Sequence, residues 1–196
     1  MGSQTYSSST LSVFNDSKFA RFSQGIITEP PYKLIHEVFK KTAVDNPSVV
    51  AVEHDEHRMT YAELDLASTK LAHHLLNLGL SPRDRMVLLV QRSIPMIVAI
   101  FAVLKSGCQY VPLDGGVVSD DALAHVLSET EPRFLLCLTR YSQRAHNVAM
   151  PRTQIVSLED SITALTASQI ESGHEVLVNP DDGAYIIYTS GWYHLT

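Results

Sequence analysis

Ala184-Tyr185-Ile186-Ile187-Tyr188-Thr189-Ser190-Gly191 is an apolar strand running into a turn of small polar residues. A strand without a polar face belongs inside a parallel sheet covered on both sides, not on a half-wetted surface. A turn of Thr, Ser and Gly after such a strand lets backbone N–H groups and hydroxyls come close to phosphate oxygens. On these three residues alone, a plain turn closing a buried strand is the simpler reading.

Working outward, Arg85 to Gln91 is a second strand with a continuous apolar centre, and Arg133 to Leu138 a third. Tyr110 to Pro112 and Gln154 to Val156 read as shorter strands, and Gly183 to Tyr188 as the last. Between them lie helical stretches. Lys33 to Asn46 carries Leu34, Ile35, Val38, Phe39 and Thr42 at three- and four-residue spacing, and Pro47 stops it. Val49 to Val52 and Arg58 to Thr60 are short β-type runs around a tight turn at His54-Asp55-Glu56-His57. Thr60 and Glu63 form a capping box for a helix with Leu64, Ala67, Leu71, Leu75 and Leu78 on one face, closed by Gly79. Ser93 caps a further helix with Pro95 in its first turn, running to Ser106 before Gly107. Ser119 to Glu129 and Leu158 to Ala167 are also helical. Strands alternating with helices predict an α/β fold with a mainly parallel sheet flanked by helices, and ligands beyond the carboxyl ends of the strands.

The bulk composition narrows the function classes. The 196 residues are 45% hydrophobic and 18% charged, which is ordinary for a globular chain. A net charge of −6 with no basic run argues against nucleic acid as a partner. The apolar runs are too short to span a bilayer, so no membrane is expected. The first 28 residues are rich in Ser and Thr, with no signal core, and Tyr6 breaks a myristoylation pattern. Cys108 and Cys137 each sit in an apolar stretch, which fits two reduced thiols and a cytoplasmic setting.

Chemistry-bearing groups are few. His54 and His57 flank an exposed turn without a distant ligand to complete a metal site. Ser190 has no assignable His/Asp partner, so no catalytic residue is assigned. No Gly-x-Gly-x-x-Gly follows a strand, which weakens a dinucleotide oxidoreductase. Leu104 to Asp114 (Leu-Lys-Ser-Gly-Cys-Gln-Tyr-Val-Pro-Leu-Asp) is a helix end, a glycine cap, a short strand and an acidic turn.

Taken in order, Met59 to Leu64, Leu104 to Asp114 and Tyr185 to Gly191 resemble the first three core motifs of an adenylation domain of a nonribosomal peptide synthetase, within the AMP-dependent synthetases and ligases. The second family motif usually reads LKAGxAYVPLD and the third YTSGSTGxPKG. The resemblance implies activation of an amino or carboxylic acid with ATP and Mg2+ as an acyl adenylate, then transfer to a phosphopantetheine thiol on a carrier domain. It implies a cofactor-binding role for Thr189, Ser190 and Gly191. Where the family continues Ser-Thr-Gly and on to Pro-Lys-Gly, this sequence has Trp192 to Thr196, and Gly115 to Val118 replaces a Pro-rich turn. The expected organisation is a polar leader or linker over 1–31, a partial AMP-binding domain over 32–191 and a non-family tail over 192–196. That makes it an incomplete N-terminal subdomain of an adenylate-forming enzyme, inactive alone. Two other readings stay open: a non-catalytic module that docks a complementary fragment, and an ATP-binding α/β protein.

Overall fold

The computed structural model describes residues 33–166 and 176–189. Helix α1 spans Ile35–Asp45 and is followed by an antiparallel hairpin of β1 (Val50–His54) and β2 (His57–Thr60), with Asp55 in the left-handed region at its tip. Helix α2 (Tyr61–Asn77) begins on the expected capping box: the Thr60 side chain accepts from the Glu63 backbone N–H, and Glu63 Oε2 accepts from Thr60 N at 2.7 Å. These hydrogen bonds hold the Glu63 carboxyl below its usual range. Gly79 ends the segment with φ +98°, a conformation that L side chains rarely adopt.

The remaining elements alternate. They are β3 (Arg85–Val90), α3 (Ile94–Lys105), β4 (Gln109–Asp114), α4 (Asp120–Thr130), β5 (Phe134–Cys137), α5 (Ser142–Val148), β6 (Gln154–Ser157) and α6 (Leu158–Thr166). The four later strands form one sheet in the order β4-β3-β5-β6, every pairing parallel. The α/β fold with a parallel sheet flanked by helices is therefore present. Alternation along β3 explains the two covered faces. Met86, Leu88 and Val90 enter a core with α1, α2 and α3, while Val87 and Leu89 enter a second core with α4 and α5. Phe134 and Leu136 of β5 join the first core, Leu135 and Cys137 the second.

Three boundaries differ from the sequence reading. β4 is longer than Tyr110 to Pro112, because it pairs with β3 along its whole length. Helix α5 was not expected. It is 7 residues long and buries only Ala145, so its apolar period is too short to see. The last strand is recorded as one parallel bridge, Tyr110 to Tyr185, flanked by Tyr110 N–H to Ala184 O and Ile186 N–H to Tyr110 O. The leader, Ala167, Ser190, Gly191 and the tail lie outside the described residues.

Both cysteines are free and buried. The Cys108 Sγ–H donates to Ser81 O at 3.1 Å. Burial, with help from the nearby Asp84 carboxylate, pushes the Cys108 thiol from 9.0 up to about 12; burial also raises Cys137. Because the thiolate is the reactive form, neither cysteine should react with a disulfide reagent at pH 8 until the chain unfolds, when both should. The sign for stability follows. The folded state holds the Cys108 proton that the unfolded state releases, so stability should be unaffected below pH 9 and fall as pH rises toward 12. Thiol titration with and without denaturant, and melting curves across that range, check both outcomes.

Candidate functional site

The carboxyl ends of β3, β4, β5 and β6 meet at one end of the sheet, where an open parallel sheet offers its ligand crevice. The bridge between Tyr110 and Tyr185 sets the register of the 184–189 segment. Thr189 follows that bridge by four residues, as Asp114, the last residue of β4, follows Tyr110 by four. Thr189 is exposed there. Of the three sequence-predicted site residues, it alone is described, so the structure neither gathers nor separates the trio.

The turn after β4 is closed on itself. Gly115 N–H donates to Val90 O at 2.8 Å, and Gly116 N–H to Asp114 Oδ1 at 2.8 Å. Val117 and Val118 N–H both donate to Asp114 O. No N–H in this turn points outward for an anion. A Cβ on Gly115 would run into the Tyr141 ring, so glycine lets the turn pack against that aromatic side chain.

Arg144, on the unexpected helix α5, fixes that turn. Its Nη1 donates to Gly115 O at 2.8 Å, its Nη2 to Val118 O, and its Nε to Asp120 Oδ1 at 2.5 Å. One guanidinium thus ties α5 to the start of α4 through two carbonyls and a carboxylate, the planar fork matching fixed acceptors. Sequence reasoning missed Arg144 because its partners lie 24 to 29 residues away. The only local hint was a lone Arg beside Ala145.

Two further contacts hold the other strand ends. After β5, Thr139 donates from N and Oγ1 to Glu159 Oε2 at 2.8 and 3.0 Å, while its Oγ1 meets Ser157 Oγ at 2.8 Å. On the last segment, Tyr188 OH donates to Glu129 Oε2 at 2.8 Å, tying that segment to α4 just before Thr189. Burial first, and then the Glu129 carboxylate, push the Tyr188 phenol up to about 12.

Among the described residues no three His, Cys, Asp or Glu side chains gather as a metal cage. His54 and His57 face one another across the hairpin, and His54 pairs with Asp55 at 3.4 Å. No helix of the described residues is long and apolar enough to cross a membrane. What the arrangement provides is a sheet end with exposed Thr139 and Thr189 among the residues at its margin.

Comparison with known proteins gives the frame. A family model described as AMP-binding enzyme matches residues 39–191. Adenylate-forming reductase 06235 of Coprinopsis cinerea is 34% identical over 184 residues, covering 93% of this chain and 18% of that protein. The chain therefore spans less than a fifth of the length of that relative. Among solved structures, the artificially fused adenylation–PCP di-domain NpsA-ThdA from Klebsiella oxytoca superposes with a TM-score of 0.70 at 25% identity, over 81% of this chain and 28% of that one. The separately crystallised N-terminal subdomain of NpsA gives the same TM-score and identity, over 83% of this chain and 41% of that subdomain.

Proposed function

The chain belongs to the AMP-binding enzyme family, and from that premise we propose that residues 32–191 are the opening part of a domain that activates an amino or carboxylic acid with ATP and Mg2+ as an acyl adenylate, in nonribosomal peptide synthesis. Residues 1–31 then serve as a linker and 192–196 as a tail outside the family pattern. The observation that carries this reading is the parallel bridge between Tyr110 and Tyr185, which sets the segment leading to Thr189 beside β4. Thr189, Ser190 and Gly191 would begin the phosphate-binding turn. The domain's partner is a carrier domain bearing phosphopantetheine, in keeping with the adenylation–PCP fusion among its structural neighbours. The setting is cytoplasmic, in keeping with two unpaired buried thiols.

By the same reading, this polypeptide alone does not adenylate. Adenylation depends on positioned groups and charge stabilisation around phosphorus, and each ~1.4 kcal/mol lost is a factor of ten in rate. Among the described residues no three His, Cys, Asp or Glu side chains gather to hold a metal there. In a radiolabelled pyrophosphate-exchange assay, the 196-residue chain should give background counts with every acid tried. A chimera of NpsA-ThdA, with residues 33–189 replacing its matched stretch, should exchange pyrophosphate. Turnover by the chain alone, or a folded chimera that is silent, refutes the proposal.

A further inference from the structure

The segment leading to Thr189 is held to β4 by main-chain rungs only at its start. Tyr110 N–H donates to Ala184 O at 3.2 Å, and Ile186 N–H donates to Tyr110 O at 3.0 Å. Tyr110 thus turns both main-chain groups toward this segment. By alternation Val111 turns toward β3 and Pro112 toward the segment again. The next rung would need an N–H from Pro112, and proline has none. Among the described residues, main-chain pairing of the segment with β4 stops at Ile186.

Beyond that point the hold passes to Tyr188. Its ring packs against the core beneath α4, and its OH donates to Glu129 Oε2 at 2.8 Å. A phenol on a carboxylate is a charge-assisted bond, stronger than a neutral rung of the ladder. His125, one turn earlier on α4, comes only to 3.7 Å of the same oxygen. The helix carrying Glu129 is itself well fixed. It buries Ala122, Leu123, Val126, Leu127 and Thr130, Arg144 holds its Asp120, and Arg85 Nη1 donates to its Thr130 O at 3.4 Å. The phenol keeps its proton up to about 12, so it remains the donor at neutral pH.

Resting on the adenylate-forming reading above, we propose that Glu129 is a positioning residue for the phosphate-binding turn: through the Tyr188 hydroxyl it replaces the rung that Pro112 cannot supply, and so fixes where Thr189 meets the phosphates of a nucleoside triphosphate. Glu129 acts only through Tyr188, from a helix that the sequence motifs leave out.

The first test uses the full 196-residue chain without nucleotide. The NMR order parameter of the Thr189 amide should fall by at least about 0.2 in Glu129→Ala and in Tyr188→Phe. It should stay at the parent value in Glu129→Gln, whose side-chain carbonyl still accepts from the phenol. Amides of β3 should keep their protection in all three, because the Glu129 side chain is half-exposed and lies outside the core. The second test reads pyrophosphate exchange in the NpsA-ThdA chimera carrying residues 33–189. Glu129→Ala and Tyr188→Phe should each lower kcat by about ten- to a hundredfold, the scale of a misplaced reacting group, with the KM for the acid unchanged. Glu129→Gln should restore most of that rate. The double variant Glu129→Ala/Tyr188→Phe should be no worse than the poorer single one, since both changes cut the same contact. A Thr189 order parameter that ignores Glu129→Ala overturns the proposal. So does a Glu129→Ala chimera that turns over like its parent, or a Glu129→Gln chimera as slow as the Ala form. A folded parent chimera without exchange overturns the adenylate-forming reading and the proposal with it; the other failures, in a parent that exchanges, overturn the proposal alone.

Discussion

Lys105→Met should lower the unfolding free energy by roughly 3 kcal/mol, although the substitution keeps length and adds apolar character. Lys105 ends α3, and its Nζ reaches across to α2, where it donates to Asp65 Oδ1 at 2.7 Å, Asp65 O at 2.9 Å, and the Ser68 and Thr69 hydroxyls at 2.8 Å each. Those hydroxyls are aimed. Ser68 gives its proton to Leu64 O at 2.7 Å and Thr69 to Asp65 O at 2.7 Å, so their lone pairs are left facing the ammonium. The Lys105 side chain is only 12% exposed, and the Phe39 ring lies 5.5 Å away. Burial pulls the Lys105 pKa below its usual value, and Asp65 pulls it back up. Removing the cation therefore strands a carboxylate and two oriented hydroxyls at a helix–helix seam. Double-mutant cycles with Asp65→Asn, followed by urea unfolding, measure the coupling. A loss below about 0.5 kcal/mol, the usual size for a surface substitution, would mean the seam holds without this pin.

Phe134→Ala should cost about 4 kcal/mol. Phe134 opens β5, is wholly buried, and is the largest fully enclosed side chain among the described residues. It lies in the core between the sheet and α2 and α3. Its strand is central, paired with β3 on one side and β6 on the other, so the backbone cannot close over the void. Domains are stable by only about 5–15 kcal/mol, so this single truncation should bring the chain close to its unfolding threshold at 25 °C. Urea midpoints for Phe134→Ala and Phe134→Leu test it: the Leu variant should recover more than half of the loss. Equal losses in both would argue for a shape effect rather than a cavity.

Much of this architecture was legible because local signals agreed. The Thr60–Glu63 box, Ser93 with Pro95, and Gly79 each mark a helix terminus through one or two nearby groups, and each terminus fell where those groups placed it. The unbroken apolar run of β3 gave away burial on both faces. The strand order β4-β3-β5-β6 was not legible, since nothing in a strand's own residues names its neighbour. Helix α5 and the Arg144 clamp escaped for the same reason: their stabilising contacts are to residues far away in the chain. At the candidate site, the sequence picked out Thr189 through its small-residue turn. That the turn after β4 spends its own N–H groups on Asp114 and Val90 could not be read from Gly115-Gly116 alone.

The contact between Tyr110 and Tyr185 joins residues about 75 positions apart, a long closure that must wait for both partners to exist. A nascent chain emerging from the ribosome has its four paired strands in hand by Ser157, and the Tyr185 segment arrives afterwards onto a finished flank. Vectorial synthesis therefore makes that segment a late, separable arrival. Pulsed labelling during refolding should find it gaining protection after β3 and β5, and translation stalled beyond Ser157 should already yield a collapsed α/β kernel.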